Sequence, residues 1–226
     1  MSKYTTLLFD ADDTIFDFAA AEKSALKDAM IKNGLPYSDA LHLMYSKINQ
    51  SYWQAFERGE IRKKDIYLGR FVTFLEKTGL SCNLQSLGSD YESSLGKYHY
   101  FIDGAYEMCL RLKEKYRLYI VTNGMKQVQE RRIKESGLDG IISGMFISEA
   151  VGVPKPEKKY FDYVFDNIKE KDKSKILIIG DSQTSDISGG VNAGIDTCWY
   201  NPSGTKVKIV PTYEVENYAQ LEEILK

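Results

Sequence analysis

Short aliphatic runs alternate with longer stretches of helical periodicity along most of this chain. Thr5–Asp10, Leu118–Thr122, Met145–Ser148, Ile176–Gly180 and Thr197–Tyr200 hold apolar runs that are too short for helices and read as buried strands. Helical patterns fall between the later ones, over Ala105–Lys115, Lys126–Ser136, Lys158–Asn167 and Asp186–Ala193. This alternation predicts an α/β fold built on a doubly wound parallel sheet. Tyr213-Glu-Val adds an edge strand, and Tyr218–Leu225 adds a closing helix. The stretch from Asp17 to Tyr98 lacks strand-like runs. It predicts four helices, Ala19–Asn33, Ser38–Arg58, Lys63–Lys77 and Asn83–Lys97, with breaks at Gly34-Leu-Pro36, Arg58-Gly59-Glu60 and Gly79-Leu-Ser81. The expected organisation is a core formed by residues 1–16 and 101–226, interrupted by an all-α domain at 17–100.

Composition narrows the function classes. A 226-residue chain with 43% hydrophobic residues can bury a substantial core. With 30 basic and 32 acidic residues, it offers no excess positive charge for a nucleic-acid polymer. No apolar stretch is long enough to span a membrane, and the first strand begins too early to leave room for a signal peptide. Cys82, Cys109 and Cys198 are odd in number and far apart, which fits a reducing cytoplasm. His42 and His99 form no zinc-type spacing. The run Lys169-Glu-Lys-Asp-Lys-Ser-Lys175 reads as a solvated loop.

Four segments carry candidate chemistry, each where a predicted strand ends. Leu7-Leu-Phe9 runs into Asp10-Ala-Asp12-Asp13-Thr14. Two carboxylates two residues apart in a partly desolvated place repel each other and call for a divalent cation. One can serve as a nucleophile, the other as a general acid and base. Thr122-Asn123-Gly124 precedes a helix and suits a bound phosphate. Lys155 stands between Pro154 and Pro156 on a stiff backbone. Ile176-Leu-Ile-Ile-Gly180 delivers Asp181 to a strand tip, and Asp186 follows about one helical turn later. Gly189 and Gly190 let the next helix approach the sheet. Taken singly, these segments also fit capping aspartates, an ordinary strand-to-helix turn and a solvated lysine. Their convergence on one sheet edge, where such folds bind ligands, argues for a single site.

In order and strand context, these four pieces resemble the motifs of the haloacid dehalogenase superfamily of aspartate-nucleophile hydrolases. The resemblance spans Asp10 to Asp186. It implies a Rossmann-like core with a helical-bundle cap, joined by hinges near Phe16–Phe18 and Tyr100–Gly104. It also implies an enzyme, a phosphoric monoester hydrolase working through an aspartyl-phosphate. Asp10 would be the nucleophile and Asp12 the acid and base. Lys155, Thr122 and Asn123 would hold the phosphoryl group. Mg²⁺ would sit on the Asp10 carboxylate, the Asp12 backbone carbonyl and the Asp181 carboxylate, with Asp186 behind them. The family pattern has Gly after the second Asp, where this chain has Asp13. A carboxylate there is similar to the pyrimidine 5'-nucleotidase subgroup, and Asp13 could cap the next turn or alter the site's charge.

On the second predicted cap helix, Tyr45, Ile48, Tyr52 and Phe56 form a stripe that fits the bundle core. Trp53 lies beside it and is a candidate for stacking on a nucleobase. Trp53–Ile61, Gly69-Arg70-Phe71 and Phe146–Val153 are further stretches similar to that subgroup. The expected partner is a small phosphate monoester, a nucleoside 5'-monophosphate by preference, and the protein is expected as a monomer or small homo-oligomer. A sugar-phosphate phosphatase or a phosphomutase would use the same motifs. A haloacid dehalogenase would lack the second Asp, and a phosphorylatable signalling domain would carry its Asp on a middle strand without a helical insert.

Overall fold

The computed structural model describes residues 2–226. Contacts divide the chain into two units: one runs to Asp17 and resumes from His99 to Lys226, and the other is Phe18–Tyr98.

The smaller unit is all helix: α1 (Phe18–Lys32), α2 (Asp39–Glu57), α3 (Lys63–Thr78) and α4 (Leu84–Leu95). Local chemistry sets its breaks. Ser38 accepts the Leu41 amide proton at the start of α2, Asn83 does the same for Ser86 at α4, and Gly79 closes α3 in the left-handed region at φ 68°. Its core holds Tyr45 stacked on Phe71 at 5.2 Å, with Phe74, Leu87 and Tyr91 around them. Glu22, Asn49 and Arg70 are buried among these residues. Asn49 donates to Glu22 at 2.7 Å and Arg70 donates to Asn49 at 3.0 Å, so the three side chains form one buried chain of hydrogen bonds.

The larger unit is a six-stranded, wholly parallel sheet ordered β3-β2-β1-β4-β5-β6. The strands are β1 (Thr6–Phe9), β2 (Arg117–Thr122), β3 (Gly144–Ile147), β4 (Ile176–Gly180), β5 (Asp196–Tyr200) and β6 (Tyr213–Val215). Helices α5 (Ala105–Leu112), α6 (Lys126–Glu135), α7 (Ser148–Val151), α8 (Lys158–Asn167), α9 (Ser188–Ala193) and α10 (Tyr218–Ile224) accompany them. Successive strand residues point to opposite faces. Leu7, Phe9, Ile120, Leu177 and Ile179 pack with Met108, Cys109 and Leu221 on one face. Leu8, Val121, Ile176 and Ile178 pack with Tyr160, Phe161 and Val164 on the other. Both faces are therefore covered, which is why the central strands are aliphatic throughout.

One predicted helix differs. Asp186 does not open an α-helix; Gln183–Ile187 is a single π-helical turn, and α9 starts at Ser188. The Ser182 carbonyl accepts from Asp186 N at 2.9 Å and from Ile187 N at 3.2 Å, and the second of these bonds widens the turn. Gly190 allows α9 to close on the sheet, because a Cβ there would lie 2.4 Å from Thr197 Cγ2. Cys82, Cys109 and Cys198 are free thiols. Among the described residues, no helix is long and apolar enough to cross a membrane.

Candidate active site

Strand order creates the site. β1 lies between β2 and β4, and the chain leaves β1 toward one side of the sheet and reaches β4 on the other. Such a reversal leaves a crevice beyond the strand ends. Phe9 pairs with Ile179, so the residues just past both strands, Asp10 and Asp181, arrive together. The Asp10 amide donates to the Ile179 carbonyl at 2.9 Å, which fixes their register.

Lys155 is the buried hub. Its Nζ donates to Asp10 Oδ1 at 2.5 Å, to Asp186 Oδ1 at 2.6 Å and to the Val121 carbonyl at 2.8 Å, using all three protons. Burial works against its ammonium, but the carboxylates of Asp10 and Asp186 more than offset this, and its pKa is raised. Asn123 sets the lysine's backbone. The Asn123 amide donates to the Lys155 carbonyl at 2.9 Å and its Oδ1 accepts the Lys155 N–H at 3.0 Å. The Asn123 side chain is thus engaged in positioning Lys155.

Asp186 is fully buried, and its Oδ2 accepts the Ser182 N–H at 3.2 Å. Gly180 makes room for it, since a Cβ at Gly180 would lie 2.2 Å from that same oxygen. Asp181 accepts weakly from Thr14 Oγ1 at 3.4 Å, and its carbonyl accepts the Trp199 indole N–H at 2.7 Å. Ligand oxygens of Asp10, Asp181 and Asp186 lie within 4.8 Å of one another. Burial above all, with the charges of Asp186 and Asp12 added, outweighs the opposing Lys155 ammonium and leaves the Asp10 pKa pushed up to about 8. Asp181 is raised well above the usual carboxylate range, first by burial, then by Asp10, Asp186 and Asp13. A lone ammonium does not offset this much negative charge. An all-oxygen donor set fits a hard divalent cation such as Mg²⁺.

Thr122 is buried at the end of β2, where its oxygen accepts the Gly124 N–H at 2.9 Å, so its own proton remains to be donated. The Asp12 carboxylate lies outside the three-carboxylate cluster and faces α6, where Gln129 Nε2 donates to it at 2.6 Å and Arg132 pairs with it. Asp13 has φ 55° and is the one non-glycine residue with positive φ among those described. The left-handed backbone explains why glycine suits this place and why Asp tolerates it better than most side chains do. Asp13 also adds to the charge that raises Asp181.

On the helical unit, Tyr45 and Ile48 are buried in the core. Tyr52 lies over Gly69, where a Cβ would approach its ring to 2.7 Å. Trp53 is half-buried, edge-on to Phe56 at 5.9 Å. Gln129, Arg132 and Thr14 are site neighbours that the motifs did not single out. Gln129 and Arg132 share a buried face of α6 with Val128 and Ile133, so polar residues at apolar spacing were the signal.

A catalytic core on a parallel sheet, with an aspartate after β1, a lysine hub and paired aspartates after β4, defines a class of hydrolase. The chain belongs to the haloacid dehalogenase-like hydrolase family, whose model matches residues 7–200. It is 36% identical over 225 residues to the pyrimidine 5'-nucleotidase PynA of Streptococcus pneumoniae, covering 98% of this chain and 95% of that one. It is 30% identical over 229 residues to the pyrimidine 5'-nucleotidase YjjG of Escherichia coli, covering 99% and 98%. Among solved structures, it is similar to YfnB of Bacillus subtilis bound to magnesium, with a TM-score of 0.94, 41% identity and 99% of each chain covered.

Proposed function

We propose that this protein is a magnesium-dependent phosphomonoesterase that acts through an aspartyl-phosphate on pyrimidine nucleoside 5'-monophosphates. The observation that carries the reading is the buried Asp10–Lys155–Asp186 hub beside Asp181. It keeps one carboxylate aimed from a strand end, beside an ammonium and an acidic cluster whose excess negative charge a divalent cation would offset before a phosphoryl dianion binds. Phosphoryl transfer asks for charge neutralisation and in-line placement more than for elaborate covalent chemistry. The pyrimidine preference is supported by the names of PynA and YjjG and by the half-exposed Trp53 on the helical unit, which offers a face for a base.

Asp10 attacks phosphorus, the phosphorus–oxygen bond to the nucleoside breaks, and Asp12 gives its proton to the departing 5'-oxygen. Water then attacks the aspartyl-phosphate, Asp12 takes up the water's proton, and inorganic phosphate leaves with Asp10 restored. Lys155 and the Thr122 hydroxyl stabilise the oxygens that are not transferred, and Asn123 holds the lysine in place. The Asp10 and Asp181 carboxylates with the Asp12 backbone carbonyl would hold Mg²⁺, braced by Asp186. When bound, the ion neutralises the charge gathering on the phosphoryl oxygens. Phosphate release from UMP, dUMP, dTMP, CMP, AMP, GMP, glucose phosphates and p-nitrophenyl phosphate, each with Mg²⁺ and with EDTA, tests the reading. Metal-dependent release favouring pyrimidine nucleotides is expected. Release from sugar phosphates alone would overturn the substrate assignment, and release from none would overturn the phosphatase.

A further inference from the structure

The Asp12 carboxylate is held at both oxygens from the same side. Arg132 pairs with Oδ1 and Gln129 Nε2 donates to Oδ2 at 2.6 Å. The two residues sit three apart on α6, one above the other on its buried face. Arg132 is fully buried, with its guanidinium carbon 4.4 Å from the centre of the Phe16 ring. Packing alone does not call for a buried guanidinium, because an apolar side chain of similar volume is often as stable. A requirement on Asp12 does call for one. Gln129 reaches its partner only because position 124 lacks a side chain: a Cβ on Gly124 would lie 2.2 Å from Gln129 Nε2. The same nitrogen lies 3.4 Å from Thr122 Oγ1, which ties the Asp12 carboxylate to the predicted phosphate-binding hydroxyl.

We infer that Gln129 and Arg132 are positioning residues that hold the Asp12 carboxylate in the orientation needed for proton transfer to the leaving oxygen, with Gly124 opening the path for Gln129. This rests on the phosphatase reading above. Two oxygens pinned by two donors on a rigid helix leave the carboxylate no rotation about its own axis. Each oxygen keeps a second lone pair for the reacting proton.

The test compares kcat/KM for p-nitrophenyl phosphate, whose nitrophenolate departs without a proton, with that for the alkyl phosphate the wild type hydrolyses best, whose alkoxide needs one. Arg132→Met and Gln129→Leu are expected to lower the alkyl value by about a hundredfold or more and the nitrophenyl value by less than about tenfold. Both variants should also release a burst of nitrophenolate and then slow, because the water step needs the same carboxylate. Arg132→Lys, which keeps the charge and loses the planar fork, should fall between wild type and Arg132→Met. If Arg132→Met does not fold, Gln129→Leu and Arg132→Lys carry the comparison. Equal losses on both esters, or none, would overturn the positioning role. A wild type inactive on both esters would instead overturn the phosphatase reading on which it rests.

Discussion

Gly180→Ala is a small change whose effect the site geometry should reverse. Gly180 is the last residue of β4, with a backbone that alanine can adopt, so the substitution would ordinarily stabilise by about 0.4–1 kcal/mol through the unfolded chain. Here the new Cβ would stand 2.2 Å from Asp186 Oδ2, 2.3 Å from Cγ and 2.7 Å from Cβ. Ordinary contact needs about 3.5 Å, so Asp186 has to retreat by roughly 1 Å. Its Cβ is among the clashing atoms, so rotating the carboxylate does not suffice and the π-helical turn itself must shift. Overpacking of this kind typically costs about 1–3 kcal/mol, and the net loss should be roughly 1–2 kcal/mol. For a chain of this size that lowers Tm by roughly 2–8 °C. Lys155 loses its 2.6 Å partner, and misplacement by about 1 Å at a reacting centre should lower kcat about a hundredfold. Thermal denaturation and phosphate release measure both effects. In an Asp186→Gly background every one of these clashing atoms is gone, and the same substitution should become neutral or stabilising, a coupling of at least about 1 kcal/mol. A Gly180→Ala protein as stable and active as wild type, or one destabilised equally in both backgrounds, would refute this reasoning.

Other expectations follow from the same geometry. Asp10 is pushed up to about 8 and binds its proton more tightly folded than unfolded, so the destabilisation is complete above about pH 8 and fades as the pH falls toward 4. The EDTA-treated protein should therefore gain Tm between about pH 9 and pH 6, and Mg²⁺ should stabilise it more at the higher pH; equal Mg²⁺ stabilisation at both would contradict this. Asp13→Gly should relieve a left-handed backbone at φ 55° and gain roughly 1 kcal/mol in urea denaturation, whereas a loss would show that the Asp13 side chain contributes more than its backbone costs. Trp53→Ala should raise KM for pyrimidine nucleotides about tenfold or more and leave KM for p-nitrophenyl phosphate nearly unchanged, as base stacking predicts. Equal effects on both substrates would return Trp53 to a packing role.

The sheet was legible because aliphatic strands buried on both faces leave an unmistakable pattern. Ile176–Gly180 and Lys158–Asn167 keep their predicted bounds. The π-helical turn before α9 was not legible, since it depends on the Ser182 carbonyl accepting two amides, a choice that composition does not encode. Asp13 stood out as a departure from a motif, but its backbone conformation became visible only in three dimensions. Arg132 and Gln129 were hidden by their setting. Lys126–Glu135 is so rich in charge that two polar residues on its buried face read as part of a solvated helix. Asn123 was expected to hold the phosphoryl group, whereas its side chain makes two hydrogen bonds to the Lys155 backbone, a long-range pairing that no local pattern announces.

If Asp10 is the nucleophile, it carries the phosphoryl group during turnover. The direct measurement is rapid acid quenching during turnover of a phosphate monoester with Mg²⁺, followed by mass spectrometry of the peptide containing Asp10. A hydroxylamine-labile phosphoryl group is expected on Asp10, forming and decaying at the turnover rate. A folded Asp10→Asn variant should show neither label nor activity. Turnover with no label on Asp10, or substantial Mg²⁺-dependent activity in Asp10→Asn, would contradict the nucleophilic role.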